Sequence, residues 1–297
     1  MRLPDGLQLR FDYFGDRLAF LALADLLQVV FDIDIRLVDR FGGSDPTSMP
    51  FGYFDADGRC IANFSAFFMP LVIDGKPVRA VGYQSGAVRP EYRGQGLYRD
   101  LMRRAFAWAE EQDFELGILL TDKPKLYEPH GFRSMPQHAF RGRVPLRTRP
   151  AVAARPLSPD NPNDIGLVRQ LLALRQPVSE VFAVAGHGIE FLLNACFDPD
   201  IHLSFLPDTN AVAAWKETEV EFRLLDIVAA EIPSLAVIIG ALDVKQSEIT
   251  VCFPPDRLDW PEARPELYAG YCDLMIKPMK PTELPTDFFL LSPMAEF

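Results

Sequence analysis

Hydrophobic positions in the first half of the chain recur at spacings that predict an alternation of helices and strands. An amphipathic helix is predicted over residues 17–31, with Leu18, Leu21, Leu26 and Val29 expected to face inward. Strands are predicted over residues 51–54, 59–70 and 78–88, then a helix over 97–109 and a strand over 116–120. A strand, a helix and a second strand in this order indicate an α/β fold.

The second half of the chain shows a similar order of elements after a stretch rich in arginine and proline. Helices are predicted over residues 164–175, 178–197 and 232–242, and strands over 211–215, 221–228, 248–253 and 271–277. We therefore predict two lobes, residues 1–145 and 164–297, joined by a linker at 146–163. Each lobe is expected to contain a mixed, bent sheet with helices on both faces.

Composition limits the classes of function. A chain of 297 residues with 48% hydrophobic content can fill two cores. The formal net charge of −11 argues against nucleic acid as a partner and favours cationic ligands. Because the chain has neither an apolar run of about 20 residues nor a signal-peptide core at its first residues, we expect no membrane association and a cytoplasmic location.

The cysteines and histidines do not form a metal-binding pattern. The four cysteines stand alone in the sequence, without the paired spacing of a zinc site, and the histidines are equally scattered. We therefore expect reduced thiols and no metal.

A glycine-containing turn joins the strand ending at residue 88 to the helix beginning at residue 97. Gly94 and Gly96 lack the Cβ that would keep an anion away from the free N–H groups at a helix N-terminus. Arginines are frequent at this junction, at positions 89, 93, 99, 103 and 104 of an otherwise acidic chain. The pattern favours a phosphate-containing ligand, although a solvated helix face would give a similar one.

About thirty residues later, a Tyr-x-x-x-Gly-Phe segment begins at Tyr127 and ends at Phe132. With the glycine turn and the strand spacing, this segment resembles the GNAT superfamily of acetyl-coenzyme A dependent N-acetyltransferases over residues 5–145. The resemblance implies a catalytic role for Tyr127 and a cofactor pyrophosphate on the turn, where Glu91 departs from the family's Gln or Arg. The cofactor-binding residues that it implies are Arg93, Gly94, Gln95, Gly96, Leu97, Tyr98 and Thr121.

The short, proline-broken segment at residues 122–125 resembles the larger, multi-lobed members of this superfamily, the enhanced intracellular survival acetyltransferases. In those proteins the C-terminal carboxylate lies in the active site, and Phe297 is the corresponding position here. An exposed chain end is an equally good interpretation of the same residue. The second lobe lacks a Gly-x-Gly turn and has Asp226 and Glu231 instead, so we interpret it as a degenerate GNAT-like lobe that binds no cofactor.

Amine acetylation requires donors for an oxyanion, an acid for the leaving thiolate and a base. The backbone at Gly86, Ala87 and Val88 is expected to pair with the pantetheine arm and to supply the donors. Tyr127 is predicted to be the general acid. The rings of Phe64 and Phe68 could line an acceptor pocket, although a role in the β core explains them equally simply.

The sequence therefore predicts an N-acetyltransferase that uses acetyl-coenzyme A and a small-molecule or peptide amine. Two alternatives stay open. One is a regulatory module that binds acetyl-coenzyme A without transfer, and the other is an enzyme that uses a longer acyl-coenzyme A. The apolar strands of the second lobe could also pair between two copies of the chain.

Overall fold

The computed structural model describes residues 6–186 and 188–297. The first half contains β1 (Gln8–Phe11), α1 (Arg17–Phe31), β2 (Met49–Phe54), β3 (Cys60–Ile73), β4 (Lys76–Val88), α2 (Leu97–Glu110), β5 (Leu116–Thr121), β6 (Arg133–Met135) and β7 (His138–Arg143). The second half contains β8 (Arg155–Leu157), α3 (Pro162–Leu174), β9 (Phe182–Val184), α4 (Ile189–Phe197), β10 (His202–Leu206), β11 (Ala211–Glu217), β12 (Phe222–Val228), α5 (Leu235–Ala241), β13 (Glu248–Val251), β14 (Arg264–Leu267) and β15 (Asp273–Pro278).

These strands form two mixed sheets. The first has the order β1-β2-β3-β4-β5-β15-β6, with β9 paired to β3, and the second has the order β14-β7-β13-β12-β11-β10-β8. Each sheet contains a parallel pair joined by a crossover helix: β4 and β5 around α2, and β12 and β13 around α5. The predicted α/β architecture with two sheets is confirmed.

The sheets do not follow the predicted segments 1–145, 146–163 and 164–297. β7 belongs to the second sheet, whereas β9 and β15 belong to the first, and β8 lies inside the predicted linker and pairs with β10. The main departure is β15, which inserts between β5 and β6 and pairs with both. A local pattern identifies β15 as an apolar strand but contains no information about which sheet it joins.

Two helix predictions need correction. α1 has the predicted bounds, but Leu18 is 79% and Val29 is 54% exposed, whereas Leu23 and Leu26 are fully buried. The buried face is centred on a different set of positions because smaller side chains such as Ala19 also face the sheet. The helix predicted over residues 178–197 is instead strand β9 followed by α4; position 187 within it lies outside the described residues.

The C-terminal segment packs between the two sheets. Leu291 donates its backbone N–H to the buried Gln137 side chain at 2.9 Å, and the Ser292 hydroxyl donates to the Leu225 carbonyl in β12 at 3.0 Å. The buried apolar side chains of this segment are Phe289, Leu290, Leu291 and Met294. This packing brings the last residues of the chain to the face of the first sheet opposite α2.

Candidate active site

The parallel strands β4 and β5 separate before either strand ends. Their ladder runs from Ala80 and Leu116 to Tyr83 and Leu119, while β4 continues to Val88 and β5 to Thr121. On its other side β4 stays paired with β3 as far as Val88. One edge of β4 after Tyr83 therefore faces an opening in the sheet, which we call the β4–β5 opening. The backbone of Gly86, Ala87 and Val88 lies along it.

A β-bulge in β4 creates this geometry. The register with β3 shifts between Gln84 and Ala87, and Ser85 adopts a left-handed conformation at φ 57°. The buried Asn63 side chain donates to the Ser85 carbonyl at 2.9 Å, and the Tyr13 hydroxyl donates to the Asn63 side-chain oxygen at 2.5 Å. This support was not predicted from the sequence. A polar residue within the apolar run of β3, Asn63, does indicate a buried hydrogen-bond partner.

The glycine turn leads from β4 into α2. Gly94 and Gly96 both have left-handed backbones, at φ 75° and 78°, and Gly96 is the N-cap residue of α2. Within the described chain no side chain caps this helix, so its first N–H groups are available to an anion. Leu97 is buried in the core and can contribute only its backbone, while Arg93 and Gln95 are exposed. The arrangement fits a pyrophosphate.

Most of the arginines near the turn have structural roles. Arg89 is buried and donates to Asp25 of α1 at 2.5 Å. Arg103 and Arg104 both pair with Asp100, and the pKa of this carboxyl is lowered by hydrogen bonds from Tyr53 and the arginines in spite of its partial burial. The positive charge inferred from the sequence is therefore largely neutralised within the fold. Arg93 and Arg99 remain exposed on the surface.

Tyr127 follows β5 in a short turn and is almost completely buried, at 7% exposure. Its hydroxyl oxygen lies 2.5 Å from that of Tyr98, which comes from the first turn of α2. Burial raises the pKa of Tyr127, while hydrogen bonds with Tyr98 and Thr121 act in the opposite direction. At neutral pH Tyr127 therefore retains its proton and has a fixed hydrogen-bond partner. The structure brings three predicted site residues together here.

Phe297 lies on the other face of the first sheet. The ring of Phe297 packs edge-on against Phe67, with 5.1 Å between centroids. Glu296 is exposed, yet its surroundings raise its pKa to about 7 by partial desolvation, which Lys216 opposes. Its backbone carbonyl accepts a hydrogen bond from Asn194 of α4 at 2.8 Å, which fixes the end of the chain.

Phe64 and Phe68, which were predicted to line an acceptor pocket, lie on the face of β3 that packs against α2. Phe64 is 1% exposed and stacks on Tyr83 at 5.7 Å within the core beneath α2. Phe68 is half-buried, stacks on Phe114, and lies under the Arg79 guanidinium at 5.1 Å. The strand alternation places both rings on the helix-covered face, where Phe64 is part of the core and Phe68 packs against it.

Two of the cysteines are buried in the described part of the chain. Burial raises the pKa of Cys60 and of Cys252 to about 12, which keeps both thiols protonated. In residues 6–186 and 188–297 there is no group of three or more His, Cys, Asp or Glu side chains arranged to hold a metal ion, and no helix long and apolar enough to cross a membrane. His187 lies outside the described residues.

Comparison with known proteins identifies the domain around this site. Residues 46–135, which include the β4–β5 opening, the glycine turn and Tyr127, match the family model described as "Acetyltransferase (GNAT) domain". The chain carries a GNAT domain. An uncharacterized N-acetyltransferase of Streptomyces griseus is 34% identical over 97 residues, which cover 32% of this chain but only 23% of that relative. YhbS of Escherichia coli, an uncharacterized N-acetyltransferase, is 33% identical over 115 residues, 38% of this chain and 66% of YhbS.

Solved structures share the two-lobed fold that surrounds the GNAT domain. Eis1 from Mycobacterium abscessus aligns with a TM-score of 0.57 at 16% identity, over 92% of this chain and 73% of that one. A probable N-acyltransferase from Enterococcus faecalis aligns with a TM-score of 0.60 at 14% identity, over 92% and 72% of the two chains. The likeness concerns the fold and includes the second sheet.

Proposed function

We propose that this chain is an acetyl-coenzyme A dependent N-acetyltransferase that acetylates a primary amine by direct attack. The observation that carries the proposal is the β4–β5 opening. One of its strands leads into an uncapped helix N-terminus, and the other leads to a buried, protonated tyrosine. An elongated thioester with a pyrophosphate at one end would contact all three features: the opening, the helix N-terminus and the tyrosine.

The residues that would hold the cofactor come from the GNAT domain alone. The N–H groups from Gly94 to Tyr98 would bind the pyrophosphate, with Arg93 at the surface beside it. The edge of β4 from Gly86 to Val88 would pair with the pantetheine arm and supply donors for the oxyanion. When bound, acetyl-coenzyme A supplies an activated acetyl group on a sulfur leaving group.

Tyr127 is the proposed general acid. Its raised pKa keeps a proton on the hydroxyl oxygen, so that it can protonate the leaving sulfur. The proposed base is the terminal carboxylate of Phe297, which the packed C-terminal segment brings to the first sheet on the face opposite α2. A carboxylate on this side favours a cationic amine as the acceptor.

The test is a measurement of thiol release from acetyl-coenzyme A with a library of amines. We expect one or more polyamines, aminoglycosides or lysine peptides to support turnover, and Tyr127→Phe to lower kcat by about 100-fold with little change in KM. Tyr83→Phe is the matched control, because it removes a hydroxyl from the same aromatic cluster and should retain activity within about twofold.

The same assay separates the proposal from its alternatives. Tight binding of coenzyme A without acetylation of any amine would indicate a regulatory module. Faster turnover with a longer acyl-coenzyme A than with acetyl-coenzyme A would indicate a different acyl donor. Equal activity of the wild type and Tyr127→Phe would remove Tyr127 from the mechanism.

A further inference from the structure

We propose that Tyr98 is a positioning residue for Tyr127, and not a cofactor contact through its side chain. Its hydroxyl fixes the orientation of the Tyr127 hydroxyl and donates a hydrogen bond to the Tyr127 oxygen when that group gives up its proton. This inference rests on the proposed function in assigning Tyr127 as the acid. The pairing of the two phenols is a property of the chain itself and can be measured separately.

The two hydroxyl oxygens are 2.5 Å apart, which is the short end of the range for O–H···O hydrogen bonds. The Tyr98 ring is held by an edge-on contact with Phe64, at 5.6 Å between centroids. A Cβ added to Gly86 would overlap the Tyr98 hydroxyl. Gly86 therefore allows this hydroxyl to approach β4, and the surrounding contacts leave the Tyr98 side chain directed at Tyr127.

Both phenols are protonated in the resting protein. Burial raises the pKa of Tyr98 well above its usual value, and burial also raises the pKa of Tyr127. Of the two O–H groups, one therefore donates in the pair and the other is left for a further acceptor. The negative charge of Asp122 disfavours ionisation of both tyrosines, and Thr121 offers Tyr127 a second hydrogen-bond partner.

The proton balance of the step is simple. The amine nitrogen forms a bond to the acetyl carbon as the carbon–sulfur bond breaks, and the O–H bond of Tyr127 breaks as its proton passes to the sulfur. The Tyr98 O–H bond stays intact and donates to the phenolate oxygen left on Tyr127. The proton released by the amine later restores Tyr127 through the base or solvent. A hydrogen bond to an ionised oxygen is stronger than one to a neutral oxygen, so Tyr98 contributes most as the transfer occurs.

The first experiment requires neither cofactor nor acceptor. Proton NMR of the folded chain is expected to show a slowly exchanging, downfield hydroxyl resonance for the pair, assigned by its loss in Tyr127→Phe. In Tyr98→Phe the same resonance should also be lost, because the Tyr98 O–H that donates in the pair is gone. In Tyr83→Phe, which alters a neighbouring ring in the same cluster, the resonance should stay in place. A downfield resonance that persists in Tyr98→Phe would overturn the proposal.

The second experiment separates positioning from cofactor binding. With acetyl-coenzyme A and an accepted amine, Tyr98→Phe should lower kcat by about tenfold, the loss of one hydrogen bond to the transition state, with KM for the cofactor within about twofold. A rise in the cofactor KM with unchanged kcat would instead make Tyr98 a cofactor contact. If no amine is acetylated by the wild type, the proposed function fails while the NMR result still stands on its own.

A substitution in β4 tests the same contact between Tyr98 and Tyr127. Gly86→Ala should displace the Tyr98 hydroxyl and shift the downfield resonance of the pair upfield, with Tyr98 still present. Thermal unfolding of each variant shows that the comparison is made on folded protein. A downfield resonance that is lost in Tyr98→Phe but unchanged in Gly86→Ala would overturn the role assigned to Gly86.

Discussion

Each of the two sheets contains a pair of parallel strands joined by a helix. The sheets differ in the structure found where these parallel strands end. In the first sheet β4 and β5 separate beside a glycine turn, and β4 has a bulge that the Asn63 side chain supports. In the second sheet β12 and β13 pair at two positions, and the Cys252 N–H extends the contact by donating to Leu224 at 2.8 Å.

The second junction is filled by a buried ion pair. Asp226 of β12 accepts hydrogen bonds from Arg175 at 2.8 Å and from the Ile227 N–H at 2.7 Å. The Ser292 hydroxyl, whose one proton is shared with the Leu225 carbonyl, lies 3.1 Å from the Asp226 carboxylate. Arg175 and Asp226 are 6% and 2% exposed as side chains. In the second sheet, the Asp226 carboxylate and Ser292 of the C-terminal segment therefore occupy the region that corresponds to the opening in the first sheet. The comparison shows that the same topology supports either a ligand site or a structural joint, depending on a few side chains.

Breaking the Arg175–Asp226 ion pair should cause the largest change, a loss of folding stability. Asp226→Ala leaves the buried Arg175 guanidinium without its carboxylate, so we expect the free energy of unfolding to fall by about 3–5 kcal/mol in chemical denaturation. Coenzyme A affinity of the folded fraction should be unchanged. The control is a double substitution, Arg175→Met with Asp226→Leu, which removes both charges and should lose less stability. Weaker coenzyme A binding in the double variant would mean that the second junction is part of the ligand site.

Deletion of Phe297 should cause the next largest change, a loss of kcat. Deleting Phe297 moves the terminal carboxylate back by one residue, about 3.5 Å along the chain, and should lower kcat by about tenfold or more. Phe297→Leu keeps the carboxylate and loses only the ring contact with Phe67, so it should retain most of the activity. Steady-state kinetics of the two variants provide the measurement. Equal kcat for the deletion and the wild type would make the chain end purely structural.

The glycine turn offers a matched pair of substitutions. Gly94 and Gly58 both have positive φ, at 75° and 80°, and neither has a neighbouring atom where a Cβ would be added. Alanine at either position should destabilise the fold by about 1 kcal/mol. Gly94→Ala should in addition raise the Kd for coenzyme A about fivefold, because the strained turn presents its N–H groups less well. Calorimetric titration of both variants tests this, and equal affinities would remove Gly94 from the binding site.

The smallest effect concerns Glu296 and pH. Its folded-state pKa of about 7 lies above the ordinary value of 4.5, so the folded chain binds a proton more tightly than the unfolded chain. Stability should therefore fall as pH rises from about 4.5 to about 7. Because Glu296 is exposed, we expect a loss below about 1 kcal/mol. Glu296→Gln should remove that part of the pH dependence in thermal unfolding, and an identical profile would contradict the raised pKa.

The local features of the GNAT domain could be predicted because each depends on a short stretch of sequence. The helix at residues 17–31, the glycine turn before Leu97 and the order of β4, α2 and β5 follow from periodicity and glycine positions. The direction of the Tyr98 side chain could not be predicted, since it depends on Gly86 and Tyr127 both lying next to its hydroxyl in the folded chain. The second-sheet ion pair was missed for the same reason: Asp226 appeared only as a charge that would repel a phosphate.

Because β15 completes the first sheet, the GNAT domain is not finished when its own residues leave the ribosome. Residues 136–272 must be synthesised before Leu274, Met275 and Ile276 can insert between β5 and β6. Until then the edge of β5 has no partner, and such an edge is prone to pair with other chains. Pairing across such a sequence separation also slows folding. The late synthesis of one short strand therefore leaves the edge of β5 in nascent chains open to aggregation.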